Sequence, residues 1–84
     1  HKSKKYDYIY VDGDHSYEGV KFDFETFWPR LSSSGFMFFH DVSVEGKLPE
    51  GEYGVKKLFA EVKRKHPHLI IDYHKSGLGI LQKK

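Results

Sequence analysis

Two short clusters of ionisable side chains stand out in this sequence. Asp12-Gly13-Asp14-His15 follows one apolar run, and His40-Asp41 follows another. Carboxylate oxygens suit Mg²⁺ or Mn²⁺, while an imidazole can ligate Mn²⁺ or accept a proton as a general base. If the fold brings the two clusters together, their chemistry is that of a metal-binding or proton-transfer site.

The apolar runs before the clusters, residues 6–11 and 35–39, have the length and composition of β-strands. Neither run alternates, which is typical of parallel strands covered on both faces. Six large apolar residues between the runs recur at spacings of three and four, as on one face of a helix: Tyr17, Val20, Phe24, Phe27, Trp28 and Leu31. Pro29 should end or kink that helix before a turn at residues 32–35. The order strand, helix, strand predicts a βαβ crossover.

The second half of the chain repeats this arrangement. The helical spacing of Val55, Leu58, Phe59 and Val62 predicts a second helix that stops at His66-Pro67, and residues 69–73 read as a third strand. A short turn then leads into residues 78–81, which predicts an antiparallel hairpin. The predicted fold class is therefore α/β, with parallel strands, crossover helices and a C-terminal antiparallel β-hairpin, in a single domain over residues 1–84.

Composition limits the class of protein. The chain has 84 residues, 38% of them hydrophobic and 17% aromatic, which favours one packed domain or part of one. It has no cysteine, so disulfides and thiolate chemistry are excluded. The net charge is only +2, and the lysines gather at the chain ends and near residues 63–65, so we expect no nucleic-acid partner. Since no membrane span or signal peptide is evident, we expect a cytoplasmic protein without a membrane partner.

Ligands of open α/β sheets bind beyond the carboxyl ends of the strands, where both clusters are expected. Two structural alternatives remain: Asp14 or Ser16 caps the helix that follows, and His40, taken alone, is a satisfied core histidine. Asp41 beside His40 favours function, because such a polar pair facing a second acidic cluster requires a cation or hydrogen bonds. Six aromatic residues are expected in the core: Tyr8, Tyr10, Phe24, Trp28, Phe36 and Phe38. Three histidines are expected at the surface: His66, His68 and His74.

Five segments in order, residues 6–20, 27–31, 34–41, 54–59 and 77–81, together resemble the second half of a class I S-adenosylmethionine-dependent methyltransferase. The nearest group is the family of small-molecule and sugar O-methyltransferases that includes the cephalosporin-hydroxylase-like proteins. The resemblance implies a partial Rossmann-like methyltransferase fold. This chain would hold strands four to seven, with the N-terminal cofactor-binding half absent and with no activity of its own.

The resemblance also implies roles for individual residues. Asp12, His40 and Asp41 match the positions that hold Mg²⁺ in metal-dependent members, and His15 matches the general base. Asp12 and Gly13 are assigned to the binding of S-adenosylmethionine, and the methyl acceptor would be a small molecule. His40 departs from the family pattern, because metal-binding relatives carry a carboxylate there; His40 would then hydrogen-bond substrate or backbone instead.

Two other functions stay open, and one association is expected. Asp12-Gly13-Asp14 imitates the Asp-x-Asp motif of metal-dependent nucleotide-sugar transferases, so the chain could be a fragment of such an enzyme. A non-catalytic α/β association module, whose polar strand ends only cap helices, is the other possibility. Because the leading strand has no predicted neighbour on one side, we expect a homodimer that pairs through this strand.

Overall fold

The computed structural model describes residues 5–11, 16–44, 47–48, 51–52, 54–71 and 77–84. In these residues two helices pack on one face of a four-stranded sheet. The strands are β1 (Tyr6–Val11), β2 (Leu31–His40), β3 (Lys47–Leu48), β4 (Gly51–Glu52), β5 (His68–Ile71) and β6 (Leu78–Gln82). The helices are α1 (Tyr17–Phe27) and α2 (Val55–Val62), each followed by a 3₁₀ turn, Trp28–Arg30 and Lys63–Lys65. The predicted α/β class is confirmed at this level.

The main sheet has the strand order β1-β2-β6-β5. β1 and β2 are parallel neighbours joined by α1, as the βαβ pattern predicted. β6 pairs antiparallel with both β2 and β5, which confirms the predicted C-terminal hairpin. β5 therefore runs parallel to β2 but is separated from it by β6. The two short strands β3 and β4 pair with each other in a separate antiparallel pair.

Residues 32–35, predicted as a turn, lie within β2 and interrupt its pairing with β1. Tyr6 pairs with Leu31 whereas Tyr8 pairs with Phe36, so the intervening serines are extra residues in the ladder. Ser34 has a φ of 70° and donates its N–H to Lys83 O at 2.7 Å. The prediction of a turn was therefore wrong: these residues form an irregular part of the strand, in which Ser34 takes a positive φ.

Both helices begin and end close to the predicted positions. Ser16 is the N-cap of α1, and its Oγ accepts a hydrogen bond from Gly19 N at 3.1 Å. Pro29 lies in the 3₁₀ turn that ends this helix. The helices contact each other through the Tyr17 hydroxyl, which donates to Glu61 Oε1 at 2.6 Å. This hydrogen bond, more than burial, raises the pKa of Tyr17.

The buried core lies between the helices and one face of the sheet. Ten of the described residues form it: Val11, Val20, Leu31, Met37, Phe39, Val42, Val55, Leu58, Phe59 and Leu81. Gly79 belongs to this face, and a Cβ there would lie 2.7 Å from the Phe59 ring, so the ring packs directly on the backbone of β6.

The opposite face of the sheet is not covered by any described residue, and this corrects the expectation of a two-sided core. Tyr8 is 71% exposed, Tyr10 54% and Phe36 41%, and Phe38 is only half-buried. β1 alternates after all, because Ile9 and Val11 turn inward while the tyrosines turn outward. The expectation holds better on α1, where Phe24 and Trp28 pack against the core.

No helix in the described part of the chain is both long and apolar enough to cross a membrane.

Candidate functional site

The candidate site lies where β1 and β2 end together. Val11, the last residue of β1, pairs with Phe39, so the carboxyl ends of the two strands reach the same edge of the sheet. His40 is the last residue of β2, and Asp41 follows it directly. β6 starts at this edge, since Leu78 pairs with His40. The edge is therefore formed by three strands around a histidine and an aspartate.

His40 and Asp41 contact each other through their side chains. His40 Nδ1 lies 3.1 Å from Asp41 Oδ2, and the side chains are 32% and 14% exposed, respectively. This distance places the imidazole and the carboxylate in ion-pair contact. An ionised carboxylate has only acceptor atoms, so a hydrogen bond between the two would have Nδ1 as its donor.

The backbone of Asp41 is held in an uncommon conformation. Its φ is 65°, in the left-handed region that aspartate enters more readily than most residues. Two hydrogen bonds fix it there: Asp41 N donates to Gly77 O at 3.0 Å, and Val44 N donates to Asp41 O at 3.2 Å. Such a conformation costs on the order of 1–3 kcal/mol and is frequent at functional sites. The turn directs the carboxylate back to the imidazole.

Gly77 supports this turn from the other side. Its φ is 75°, and a Cβ there would lie 2.5 Å from Ser43 Oγ. A side chain would thus be opposed both by the backbone conformation and by the neighbouring serine. Gly77 directly precedes β6 in the antiparallel hairpin expected from the sequence, but no part in the site was predicted for it. The sequence shows only that a glycine precedes the last strand. Its contact with Asp41 could not be predicted, because that contact depends on β6 lying next to β2 in the sheet.

An aromatic surface adjoins the histidine. The rings of Tyr10 and His40 have centroids 6.4 Å apart, and Tyr10 stacks nearly parallel to Phe38, also at 6.4 Å. A shallow apolar groove of about 430 Å³ is lined by Tyr8, Tyr10, Phe38 and Leu78. The position of Tyr10 beside the site was not predicted from the sequence. It could have been, because side chains alternate along a strand, so that Tyr10 on β1 and His40 on β2 lie on the same face of the sheet.

The first cluster lies in a part of the chain that the structure does not describe. Asp12, Gly13, Asp14 and His15 lie outside the described residues, so the roles predicted for Asp12, Gly13 and His15 stay predictions. Asp14 and Ser16 were the two residues predicted to cap α1, and the structure shows Ser16 at the N-cap.

The predicted magnesium site is not supported by the residues that the structure describes. Among them no three His, Asp or Glu side chains lie close enough to hold a metal ion. Asp41 supplies the one carboxylate of the described pair, and His40 supplies a nitrogen. The described pair by itself does not fit a magnesium site, which normally relies on several oxygen ligands and water.

Comparison with known protein families finds a match to the first half of the chain. The family model described as "Methyltransferase domain" matches residues 1–42, half of the chain. The match covers β1, α1 and β2 and ends just after Asp41. The chain belongs to this methyltransferase domain family.

A curated relative extends the similarity further along the chain. An uncharacterized protein, y4gI, of Sinorhizobium fredii (strain NBRC 101917 / NGR234) is 40% identical over 75 residues. The aligned part is 89% of this chain but only 8% of the relative. The chain thus spans a small fraction of the relative's length, and the relative's printed name carries no activity.

Proposed function

We propose that this chain is part of an S-adenosylmethionine-dependent O-methyltransferase that acts on a small molecule or a sugar. In this proposal it supplies the fourth to seventh strands of a Rossmann-like sheet, and it is inactive alone because the cofactor-binding half lies in another segment. Membership of the methyltransferase domain family supports the reaction class. The contact of His40 Nδ1 with Asp41 Oδ2, at the shared edge of β1 and β2, is the observation that supports a role for this chain at the methyl acceptor.

The residues described at this edge do not by themselves form a pocket for S-adenosylmethionine. Asp41 is the carboxylate described there, and it is turned toward His40. Contacts to the cofactor are accordingly assigned to Asp12 and Gly13, outside the described residues, and to the proposed preceding half. When bound, this cofactor supplies an electrophilic methyl group; the chain's own task is to position the acceptor and to remove its proton.

Isothermal titration calorimetry with S-adenosylmethionine tests whether cofactor binding requires the proposed preceding half of the domain. One sample is the 84-residue chain. The other is a longer polypeptide that also contains the residues encoded upstream of His1. We expect heat of binding only for the longer polypeptide. Binding by the short chain with the same affinity would refute the proposed half-domain, and absence of binding in both would refute dependence on this cofactor.

Methyl transfer is tested on the longer polypeptide with methyl-labelled S-adenosylmethionine and three acceptors: catechol, phenol and glucose. Labelled methyl ether in any of these supports O-methylation. Addition of EDTA to the same assay tests the metal expected from the sequence: a loss of activity that Mg²⁺ restores would support a magnesium site that includes Asp12. Unchanged activity would remove magnesium from the proposal.

The nucleotide-sugar transferase and the association module are both less well supported. The first leaves the family match without explanation, and its Asp-x-Asp segment, residues 12–14, lies outside the described residues. The second does not account for the left-handed backbone that brings the carboxylate of Asp41 to His40. Manganese-dependent binding of a nucleoside diphosphate would favour the transferase. Unchanged parent activity after alanine substitution of Asp12, His15 and Asp41 would favour the module.

A further inference from the structure

Basic residues gather at the end of the sheet that lies opposite the candidate site. β1, β2 and β5 begin at this end, and β6, which runs antiparallel to β2 and β5, finishes there. These residues are scattered along the sequence, and a nucleic-acid partner was not expected for that reason, but the fold brings them to one end. Seven of them, called the basic end below, lie next to the strand ends: Lys5, Arg30, Lys63, Arg64, Lys65, Lys83 and Lys84.

Direct contacts hold the basic end together around the 3₁₀ turn that follows α1. Lys5 Nζ donates to Pro29 O at 2.7 Å, so the start of β1 is attached to this turn. Lys83 Nζ donates to Trp28 O at 2.9 Å, which attaches the end of β6. The ring of His66, just after the second 3₁₀ turn, lies against that of Trp28 with centroids 4.6 Å apart. The separate stretches of chain therefore form one connected surface.

The positive charges of the basic end are not neutralised within the described part of the chain. No Asp or Glu of that part forms an ion pair with any of the seven residues. Arg30, Arg64, Lys65 and Lys84 are exposed to solvent. Burial lowers the pKa of His66, and the charges of Lys65 and Lys84 lower it further. The two lysines belong to different elements, so the positive potential at His66 is produced by the fold.

We propose that the basic end binds the phosphate backbone of a nucleic acid. Lysine and arginine side chains bind phosphates without reading the base sequence, and the release of counterions drives this binding. The guanidinium groups of Arg30 and Arg64 can form paired hydrogen bonds with phosphate oxygens. Four strands about 4.8 Å apart make this end about 15 Å wide, which is the rise of about four phosphates along one nucleic-acid strand. The proposal does not depend on the proposed methyl transfer.

The composition of the basic end favours a nucleic acid over a protein partner. Protein–protein interfaces are depleted of charged residues at their centre and rely on aromatic anchors that the partner buries. The aromatic residue at the centre of the basic end is Trp28, and its ring is already covered in part by His66, with Lys83 Nζ 5.9 Å from the ring centre. The groups left for a partner are therefore mainly the exposed ammonium and guanidinium groups, which suit phosphates.

Fluorescence anisotropy of a labelled single-stranded oligouridylate tests the proposal on the 84-residue chain. About four phosphate contacts, each contributing about −0.7 to the slope of log affinity against log salt concentration, predict that the affinity falls by about 50-fold between about 50 and about 200 mM salt. Absence of binding at the lower salt concentration would overturn the proposal. Binding that does not depend on salt would overturn it as well, because phosphate contacts require counterion release.

A triple variant with Arg64→Gln, Lys65→Gln and Lys84→Gln locates the binding surface. All three side chains are exposed, so the variant should keep the far-ultraviolet circular dichroism spectrum of the wild type. At about 100 mM salt we expect its affinity to fall at least about tenfold, and its salt slope to become shallower by about 2, since three phosphate contacts are lost. Wild-type affinity in this variant would overturn the proposal.

The matched control removes the same charge from the helices. Lys21→Gln, Lys56→Gln and Lys57→Gln change exposed residues in the first two turns of α1 and α2, outside the basic end. At about 100 mM salt, charges more than about 10 Å from a bound phosphate are largely screened, so we expect this variant to bind within about threefold of the wild type. An equal loss of affinity in both triple variants would indicate an effect of net charge alone, and the proposal would be overturned.

Two other polyanions are used as competitors: polyglutamate and vesicles of phosphatidylglycerol. We expect the oligouridylate to stay bound when either is added at the same concentration of charge. Displacement by polyglutamate would assign the basic end to an acidic protein segment, and displacement by vesicles would assign it to a membrane surface; either result would overturn the proposal. Failure of nucleic-acid binding leaves the proposed methyl transfer intact, because the two are measured separately and involve opposite ends of the sheet.

Discussion

Two described histidines pack beside aromatic rings in different electrostatic surroundings. His40 contacts a carboxylate, whereas His66 lies against Trp28, with ring centroids 4.6 Å apart. Burial, followed by the charges of Lys65 and Lys84, lowers the pKa of His66. Sequence analysis expected His66 at the surface, but it is half-buried in the groove between the helices. A short polar segment gives no sign that a distant tryptophan covers it.

The lowered pKa of His66 predicts a pH dependence of stability. Between the folded-state pKa and the unfolded value of 6.5, the unfolded chain binds more protons than the folded chain. The free energy of unfolding therefore rises with pH across this window. The contribution is complete above 6.5 and is lost as the pH falls through the folded-state pKa.

Urea denaturation from about pH 5 to about pH 7.5 measures this slope. Trp28, the one tryptophan of the sequence, reports unfolding by fluorescence. We expect wild type to lose more stability than His66→Gln as the pH is lowered, while His68→Gln should behave as wild type. Parallel pH profiles of wild type and His66→Gln would contradict the prediction.

At the scale of the secondary-structure elements, α1 begins at an N-cap serine. Ser16 caps it through the Oγ contact with Gly19 N at 3.1 Å. Ser16→Ala should lower the free energy of unfolding by about 1 kcal/mol, because an amide at the helix start loses its acceptor. Urea denaturation measures the loss. Ser33→Ala, an exposed serine of β2, is the control and should change stability by less than about 0.5 kcal/mol.

The ends of the elements were predictable where the signal is local. Pro29 and Ser16 act on their own helix, so both ends of α1 could be predicted from the sequence. The bulge in β2 could not, because Ser34 is held by Lys83, far along the chain. The same applies to the candidate site. The end of β2 at His40 could be predicted from the apolar run that precedes it. The turn at Asp41 could not, because it depends on a hydrogen bond to Gly77 and hence on the strand order.

At the scale of the whole molecule, the residues that the structure describes cover only one face of the sheet. The unbroken apolar runs predicted cover on both faces, but the described helices both pack on the side of Met37 and Phe39. The runs contain the residues of both faces, and periodicity alone does not tell which face a neighbour will cover. β1 also lies at the edge of the sheet, beside a groove of about 520 Å³. This groove is lined by Tyr6, Tyr8, Ile9, Tyr10, Val11, Asp23 and Phe27.

The open edge is the basis for the expected homodimer, which remains a prediction. Sedimentation of wild type should show association that increases with concentration. Tyr8→Lys should shift the equilibrium toward monomer, because Tyr8 is 71% exposed on β1 and two lysines would meet across the paired edge. Phe22→Lys, at an exposed position on α1, should leave association unchanged. A strictly monomeric wild type at high concentration would contradict the prediction.

The position of β2 within the sheet has a consequence for dynamics. It is bonded to a parallel neighbour on one side and an antiparallel neighbour on the other, and its inward side chains Met37 and Phe39 are fully buried. Its amide hydrogens should therefore exchange with deuterated water only when the sheet comes apart as a unit. His40 and Asp41 extend from this slowly opening strand, so the local fluctuations that loosen the outer strands should leave their relative positions unaltered.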